Sequence, residues 1–197
     1  RLANELGMVR IADLAQRLGV YDRMPLQLAM ALGAGETSLL KMVTAYAMID
    51  NGGKKITPTL IDRVQDRFGK TVFRHDKRDC SGCAPAAFDP AAPDPELLDV
   101  REQVMNPYTA YQVTSMMEGV IQRGTGKKLL AVGKPVAGKT GTSNDERDAW
   151  FIGYTPDLAV GVYVGFDNPK PMGRKRTGGE LAAPIVAEFM KLALRDK

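Results

Sequence analysis

The sequence predicts an α/β fold, an antiparallel sheet covered by helices, and three observations carry that prediction. Two apolar runs, Asp148-Ala149-Trp150-Phe151-Ile152-Gly153-Tyr154 and Leu158-Ala159-Val160-Gly161-Val162-Tyr163-Val164-Gly165-Phe166, flank the turn Thr155-Pro156-Asp157 and read as a hairpin. Lys139-Thr140-Gly141-Thr142 precedes them across a five-residue loop and supplies a third antiparallel strand. Apolar residues then recur at helical spacing from about Glu180 to Leu194, giving a helix able to cover one sheet face.

The remaining elements follow in order. Arg1 to about Leu6 and Val9 to Leu18 read as two helices, broken at Gly7 and closed at Gly19. A turn at Gly33-Ala34-Gly35 leads to a helix from Thr37 to Asp50. Thr37 or Glu36 is its expected cap, Leu39, Leu40, Val43, Tyr46 and Ala47 its expected buried stripe, and Asn51-Gly52-Gly53 its end. Ile56 to Val64 and Thr71 to Arg74 suggest a hairpin around Phe68-Gly69, with Pro58 at an edge. Residues 76–102 hold four prolines, Pro85, Pro90, Pro93 and Pro95, and read as an exposed structureless insertion. Asn106-Pro107 then opens the longest helix, with Asn106 as N-cap, and Val113, Met116, Met117, Val120 and Ile121 are expected to face the core. Arg123-Gly124-Thr125-Gly126 ends it.

The candidate chemistry sits in Lys139-Thr140-Gly141-Thr142. A lysine, two hydroxyls and a glycine on one strand suit a peptide-like ligand ending in a carboxylate. The strand backbone can pair with the ligand, the cation and hydroxyls can receive the negative charge, and the glycine permits close approach. A bare Lys-Thr-Gly arises by chance in roughly one chain in twenty of this length, so its surroundings must support it. As the polar face of an edge strand, the same residues would need no ligand at all.

With Arg123-Gly124-Thr125-Gly126 upstream, Gly33-Ala34-Gly35-Glu36 near the start and Asp148-Ala149-Trp150-Phe151 downstream, the strand resembles the transpeptidase domain of class A, bifunctional penicillin-binding proteins. The likeness runs over nearly the whole chain apart from about Arg74 to Glu102. It implies a peptidoglycan D,D-transpeptidase that cross-links stem peptides through a serine acyl-enzyme and is acylated by β-lactams. It also implies that Lys139, Thr140, Gly141 and Thr142 bind substrate, with Lys139 in the proton-transfer network and the Thr142 backbone N–H in the oxyanion hole. The family's Ser-x-x-Lys and Ser-x-Asn motifs are expected upstream of Arg1. The chain thus reads as residues 1–197 of a C-terminal half-domain, incomplete and inactive alone.

Ser38-Leu39-Leu40-Lys41 matches Ser-x-x-Lys literally, and residues three apart share a helix face. No Ser-x-Asn or Tyr-x-Asn lies between Lys41 and Lys139, so Ser38 reads as a decoy. The alternative is a compact serine acyl hydrolase using Ser38 and Lys41; a second is a non-catalytic module that binds cell-wall peptide through the Lys139 strand.

Composition limits the remaining classes. A balance of 27 basic to 23 acidic residues, net +4, gives no case for nucleic acid, and Arg174-Lys175-Arg176 with Lys170 reads as a solvated loop. No run approaches a membrane span, so any anchor is expected outside this chain, which the resemblance places at the periplasmic face of the bacterial inner membrane. Cys80 and Cys83 could form a disulfide, stay as thiols or give half a metal site; an oxidising periplasm favours the disulfide. His75 reads as a solvent-facing strand end. No cofactor or metal is expected. The expected partners are stem peptide, β-lactams and the other half of the domain, with self-association where an incomplete sandwich leaves apolar surface uncovered.

Overall fold

The computed structural model describes residues 1–78, 80–81 and 96–196. Two compact units result: Arg1–Ile56 together with Gln103–Lys197, and Thr57–Glu102.

The first unit is built on three strands, β5 (Ala137–Thr142), β6 (Asp148–Thr155) and β7 (Leu158–Gly165), antiparallel in the order β5-β6-β7. The predicted hairpin is therefore present, turning between Thr155 and Leu158. β6 is the central strand and is buried over most of its length, whereas β7 is mainly half-buried. Alternation divides its side chains between two helical layers. Phe151, fully buried, packs with Leu129, Val186, Met190 and Leu194, so that helix α5 (Ala182–Ala193) covers that face. On the other face Tyr154 and Ala137 pack with Met117 of α4 (Pro107–Arg123) and with Tyr46 of α3 (Leu39–Asp50). A side chain at Gly161 would collide with Val43 and Leu39, which places α3 against β7. The sheet is thus covered on both faces, as burying a two-faced sheet requires.

Helices α1 (Leu2–Leu6) and α2 (Met8–Arg17) break at Gly7, with φ +82°, as the sequence predicts. Asn106 caps α4, its side chain accepting from the Tyr108 N–H at 2.9 Å, with Pro107 at the first helical position. Two expected stripes need correction. On α3 the buried residues are Thr44, Ala45 and Met48, while Leu40 is 56% exposed; on α4 Met116 points outward at 65% exposure and Ala110 and Gly119 are buried. Ala45 of α3 and Ala110 of α4 pack into one core cluster, a choice that counting large apolar residues misses, while buried Gly119 lies under the Arg123 side chain of its own helix.

The second unit holds a hairpin of β1 (Arg63–Gln65) and β2 (Thr71–Arg74). The first strand is shorter than the predicted Ile56 to Val64. The turn is tied by the Asp66 carboxylate, which accepts from the Phe68 and Lys70 N–H groups at 2.9 and 3.0 Å. Cys80–Ser81 (β3) pairs antiparallel with Glu96–Leu97 (β4), so 76–102 is not wholly without regular structure. His75 follows β2 half-buried, its N–H donating to the Asp62 carbonyl at 2.8 Å. Cys83 lies outside the described residues, and with it the expected Cys80–Cys83 disulfide. Among the described residues no helix is long and apolar enough to cross a membrane.

Candidate active site

Strand β5 changes character along its length. Ala137 and Gly138 are buried, Lys139 is exposed, Thr140 and Gly141 are half-buried and Thr142 is exposed. Register pairs Lys139 with Ile152, Thr140 with Phe151, Gly141 with Trp150 and Thr142 with Ala149. Paired residues share a face, so Thr140 and Thr142 lie on the α5 side of the sheet and Lys139 on the α3 side. Only β6 pairs with β5 among the described residues, which leaves the outer edge of β5 able to accept an extended chain.

Each polar group on this strand has a defined neighbour. The Lys139 Nζ donates to the Thr140 carbonyl at 2.7 Å and stands 3.4 Å from the Thr140 Oγ1. The Thr140 hydroxyl is bonded to the Thr125 hydroxyl at 2.6 Å, so the Arg123-Gly124-Thr125-Gly126 turn that ends α4 reaches the strand. The Gly178 N–H donates to the Thr142 Oγ1 at 3.1 Å. Gly178 lies so close to the sheet that an added Cβ would fall 2.2 Å from the Trp150 carbonyl oxygen and 2.5 Å from that of Gly141. Only glycine fits that crossing.

The turn leaving β5 is equally constrained. Ser143 closes it, its Oγ accepting from the Asp148 N–H at 3.0 Å, which makes Asp148 a strand-start residue. Arg147 pairs with Asp145 at 3.3 Å. Asp145 and Glu146 both have positive φ, 60° and 53°, a region that non-glycine residues seldom enter. Glu146 reaches the segment after β7: its two carboxylate oxygens accept from the Lys175 and Arg176 N–H groups, each at 3.1 Å, and its carbonyl accepts from the Met172 N–H at 3.0 Å. Sequence reading missed both Glu146 and Gly178. The consecutive Gly178-Gly179 pair was the available signal for the second; nothing marks the first, because its partners are backbone groups.

The Ser38–Lys41 pair is engaged elsewhere. Ser38 is itself the N-cap of α3, in place of the expected Thr37 or Glu36, and its Oγ accepts from the Lys41 backbone N–H at 3.2 Å. The Lys41 Nζ pairs with Asp22 at 3.1 Å. The open depression beside them, about 410 Å³, is lined by Asp22, Arg23, Glu36, Thr37, Ser38 and Lys41 among others, and includes no residue of β5.

Away from the strand, two groups behind the sheet have shifted acidities. Tyr154 is 2% exposed and bonds the Thr114 hydroxyl at 2.7 Å. Burial pushes its phenol up to about 12, against the opposing pull of that hydrogen bond. Burial, and then the nearby Asp157 charge, push the Asp50 carboxyl at the end of α3 up to about 6. No group of three or more metal-ligating side chains occurs among the described residues.

An antiparallel sheet between helical layers, with a Lys-Thr-Gly-Thr strand at its accessible edge, is the α/β architecture of penicillin-binding protein transpeptidase domains. Residues 2–191 match the penicillin-binding protein transpeptidase domain, and the chain belongs to that family. It is 42% identical to penicillin-binding protein 1A of Rickettsia prowazekii and 36% identical to that of Neisseria gonorrhoeae. All of this chain is covered in both matches, but only 25% and 23% of those proteins. The crystal structure of penicillin-binding protein 1A from Haemophilus influenzae superposes with a TM-score of 0.79 at 28% identity, covering 99% of this chain and 32% of that one. PonA1 of Mycobacterium tuberculosis, solved in complex with penicillin V, shares the fold, with a TM-score of 0.75, 23% identity and coverage of 95% of this chain and 50% of that one. The chain thus spans about a quarter of the length of the curated relatives it matches, and the resemblance to class A penicillin-binding proteins stands.

Proposed function

We propose that this chain is the substrate-strand portion of a peptidoglycan D,D-transpeptidase acting at the periplasmic face of the bacterial inner membrane. The observation that carries the reading is the β5 edge, where Lys139, Thr140 and Thr142 are accessible and the two hydroxyls are held by Thr125 and Gly178. A serine supplied by a segment outside these 197 residues attacks the carbonyl between two D-alanines of a stem peptide, forming an ester and releasing the terminal D-alanine as the amine leaving group. An amine of a second stem peptide then attacks the ester, restoring the serine hydroxyl and forming the cross-link. β-Lactams enter at the first step, their ring amide opening on the same serine.

In this reading the donor peptide lies along β5 and its terminal carboxylate is received by Thr140, Thr142 and the positive potential of Lys139. The Thr142 N–H stabilises the oxyanion, and Lys139 also serves the proton-transfer network. Gly141 admits the ligand backbone, and Ser38 has no part in the chemistry. Residues 1–197 form the C-terminal half of the transpeptidase domain. Alone, the chain is inactive and tends to self-associate.

Intact-mass measurement tests this directly. The chain and a polypeptide extended through the nucleophile motif are each incubated with a reporter penicillin. An adduct on the extended protein alone is expected; an adduct on Ser38 of this chain would overturn the assignment.

A further inference from the structure

We propose that Glu146 is a positioning residue for carboxylate recognition, acting through the Met172–Gly178 segment to aim the Thr142 hydroxyl at the ligand. The inference rests on the reading of β5 as the substrate strand.

A threonine hydroxyl has one proton to give and two lone pairs to fill. The Gly178 N–H occupies one lone pair of the Thr142 Oγ1, which fixes the side-chain rotamer and leaves the O–H proton as the group that can be donated outward. A ligand carboxylate needs a donor. Without Gly178 the hydroxyl could rotate and spend its proton on water or on backbone. The orientation of Thr142 therefore depends on a chain segment that is remote in sequence and contributes only a main-chain N–H.

That segment is held by Glu146. Lys175 has φ +62°, and the successive Lys175 and Arg176 N–H groups converge on one carboxylate, the geometry of a backbone anion nest. Here the anion is the protein's own. The two bonds are charge-assisted, and the Met172 N–H adds a third contact to the Glu146 carbonyl. On its own side of the clasp, Glu146 sits in a left-handed conformation directly after another one, Asp145, in the turn that leaves β5. Such a pair is unfavourable for ordinary side chains and persists where surrounding contacts impose it. The clasp begins one turn beyond Thr142 and ends two residues before Gly178, so both anchors of the segment bear on the same strand end.

A merely structural role would weaken every ligand alike, whereas hydroxyl orientation matters only to a ligand that has a carboxylate. Acylation rate constants are measured on the extended polypeptide with a reporter penicillin and with its carboxylate methyl ester. Glu146→Ala is expected to slow acylation by the acid about tenfold, the loss of one hydrogen bond to a charged group, and to change acylation by the ester less than about twofold. Glu146→Gln keeps one acceptor oxygen and is expected to fall between wild type and Glu146→Ala, which guards against an alanine variant that does not fold. In a Thr142→Val background Glu146→Ala should add nothing, because the hydroxyl it orients is gone. Equal losses for acid and ester, or a loss that persists undiminished in the Thr142→Val background, would overturn the proposal. Failure of the underlying reading looks different: the extended wild-type protein would not be acylated by either compound.

Discussion

Ser38 with Lys41 and Lys139 with Thr140 and Thr142 each put a lysine and a hydroxyl close in sequence, and the fold treats the two places in opposite ways. At the first, both polar groups are consumed by the structure: the hydroxyl caps a helix and the ammonium pairs with Asp22. At the second, neighbours hold the hydroxyls but leave them at an accessible strand edge. A motif written as residue types says nothing of whether its groups are already satisfied. What separates the two places is which hydrogen-bonding capacity remains unspent.

The largest expected effect tests that division. In the extended polypeptide, Lys139→Ala and Thr140→Ala are each expected to slow β-lactam acylation about 100-fold with little change in the melting curve, while Ser38→Ala and Lys41→Ala leave the rate unchanged. Normal rates in the first pair would erase the contrast. A smaller effect is expected behind the buried end of the same strand, where Ala137 pairs with Tyr154. Thr114→Val removes the partner of the Tyr154 hydroxyl and should cost about 2 kcal/mol in denaturant unfolding, the penalty of an unsatisfied buried group. No loss would mean that the phenol finds another partner.

Helix α3 supplies the two smallest effects. Ser38→Ala, silent in acylation, should lower stability by about 1 kcal/mol as a lost N-cap, read from the same unfolding curves. At the other end of the helix, Asp50 titrates near 6 when folded, above the value near 4 of an unfolded aspartate. Its environment disfavours the charged form, so stability from this group is full below about pH 4 and is lost as pH rises through about 6. Asp50→Asn should therefore gain on wild type between pH 4 and pH 7, by under about 1 kcal/mol because the site is partly solvated. Melting curves at the two pH values would show it, and the opposite sign would place a cation beside Asp50.

Much of this was legible in the sequence. The β6–β7 hairpin follows from two apolar runs about a Pro-Asp turn, the α4 start from Asn106-Pro107, and the edge strand β5 from Lys139-Thr140-Gly141-Thr142. Local chemistry fixes each of these within a few residues. Leu40 and Met116 were misplaced because periodicity identifies an apolar face but not the small residues, such as Ala45 and Ala110, that pack between neighbouring elements. Thr125 was legible only as part of the turn that ends α4, its partner being 15 residues away. The Glu146 clasp was not legible at all. Its bonds span 29 and 30 residues and end on main-chain N–H groups, which every residue but proline offers.

The passage of Gly178 over the Gly141–Trp150 pair limits how this site can change over time. Main chain lies against main chain there, with 2.2 Å between a would-be Cβ and the Trp150 oxygen. A side chain at position 178 would have to part the two backbones, so a descendant has almost no substitution there that still folds. Variation should instead accumulate at the surrounding hydroxyls, where threonine and serine exchange at little structural cost.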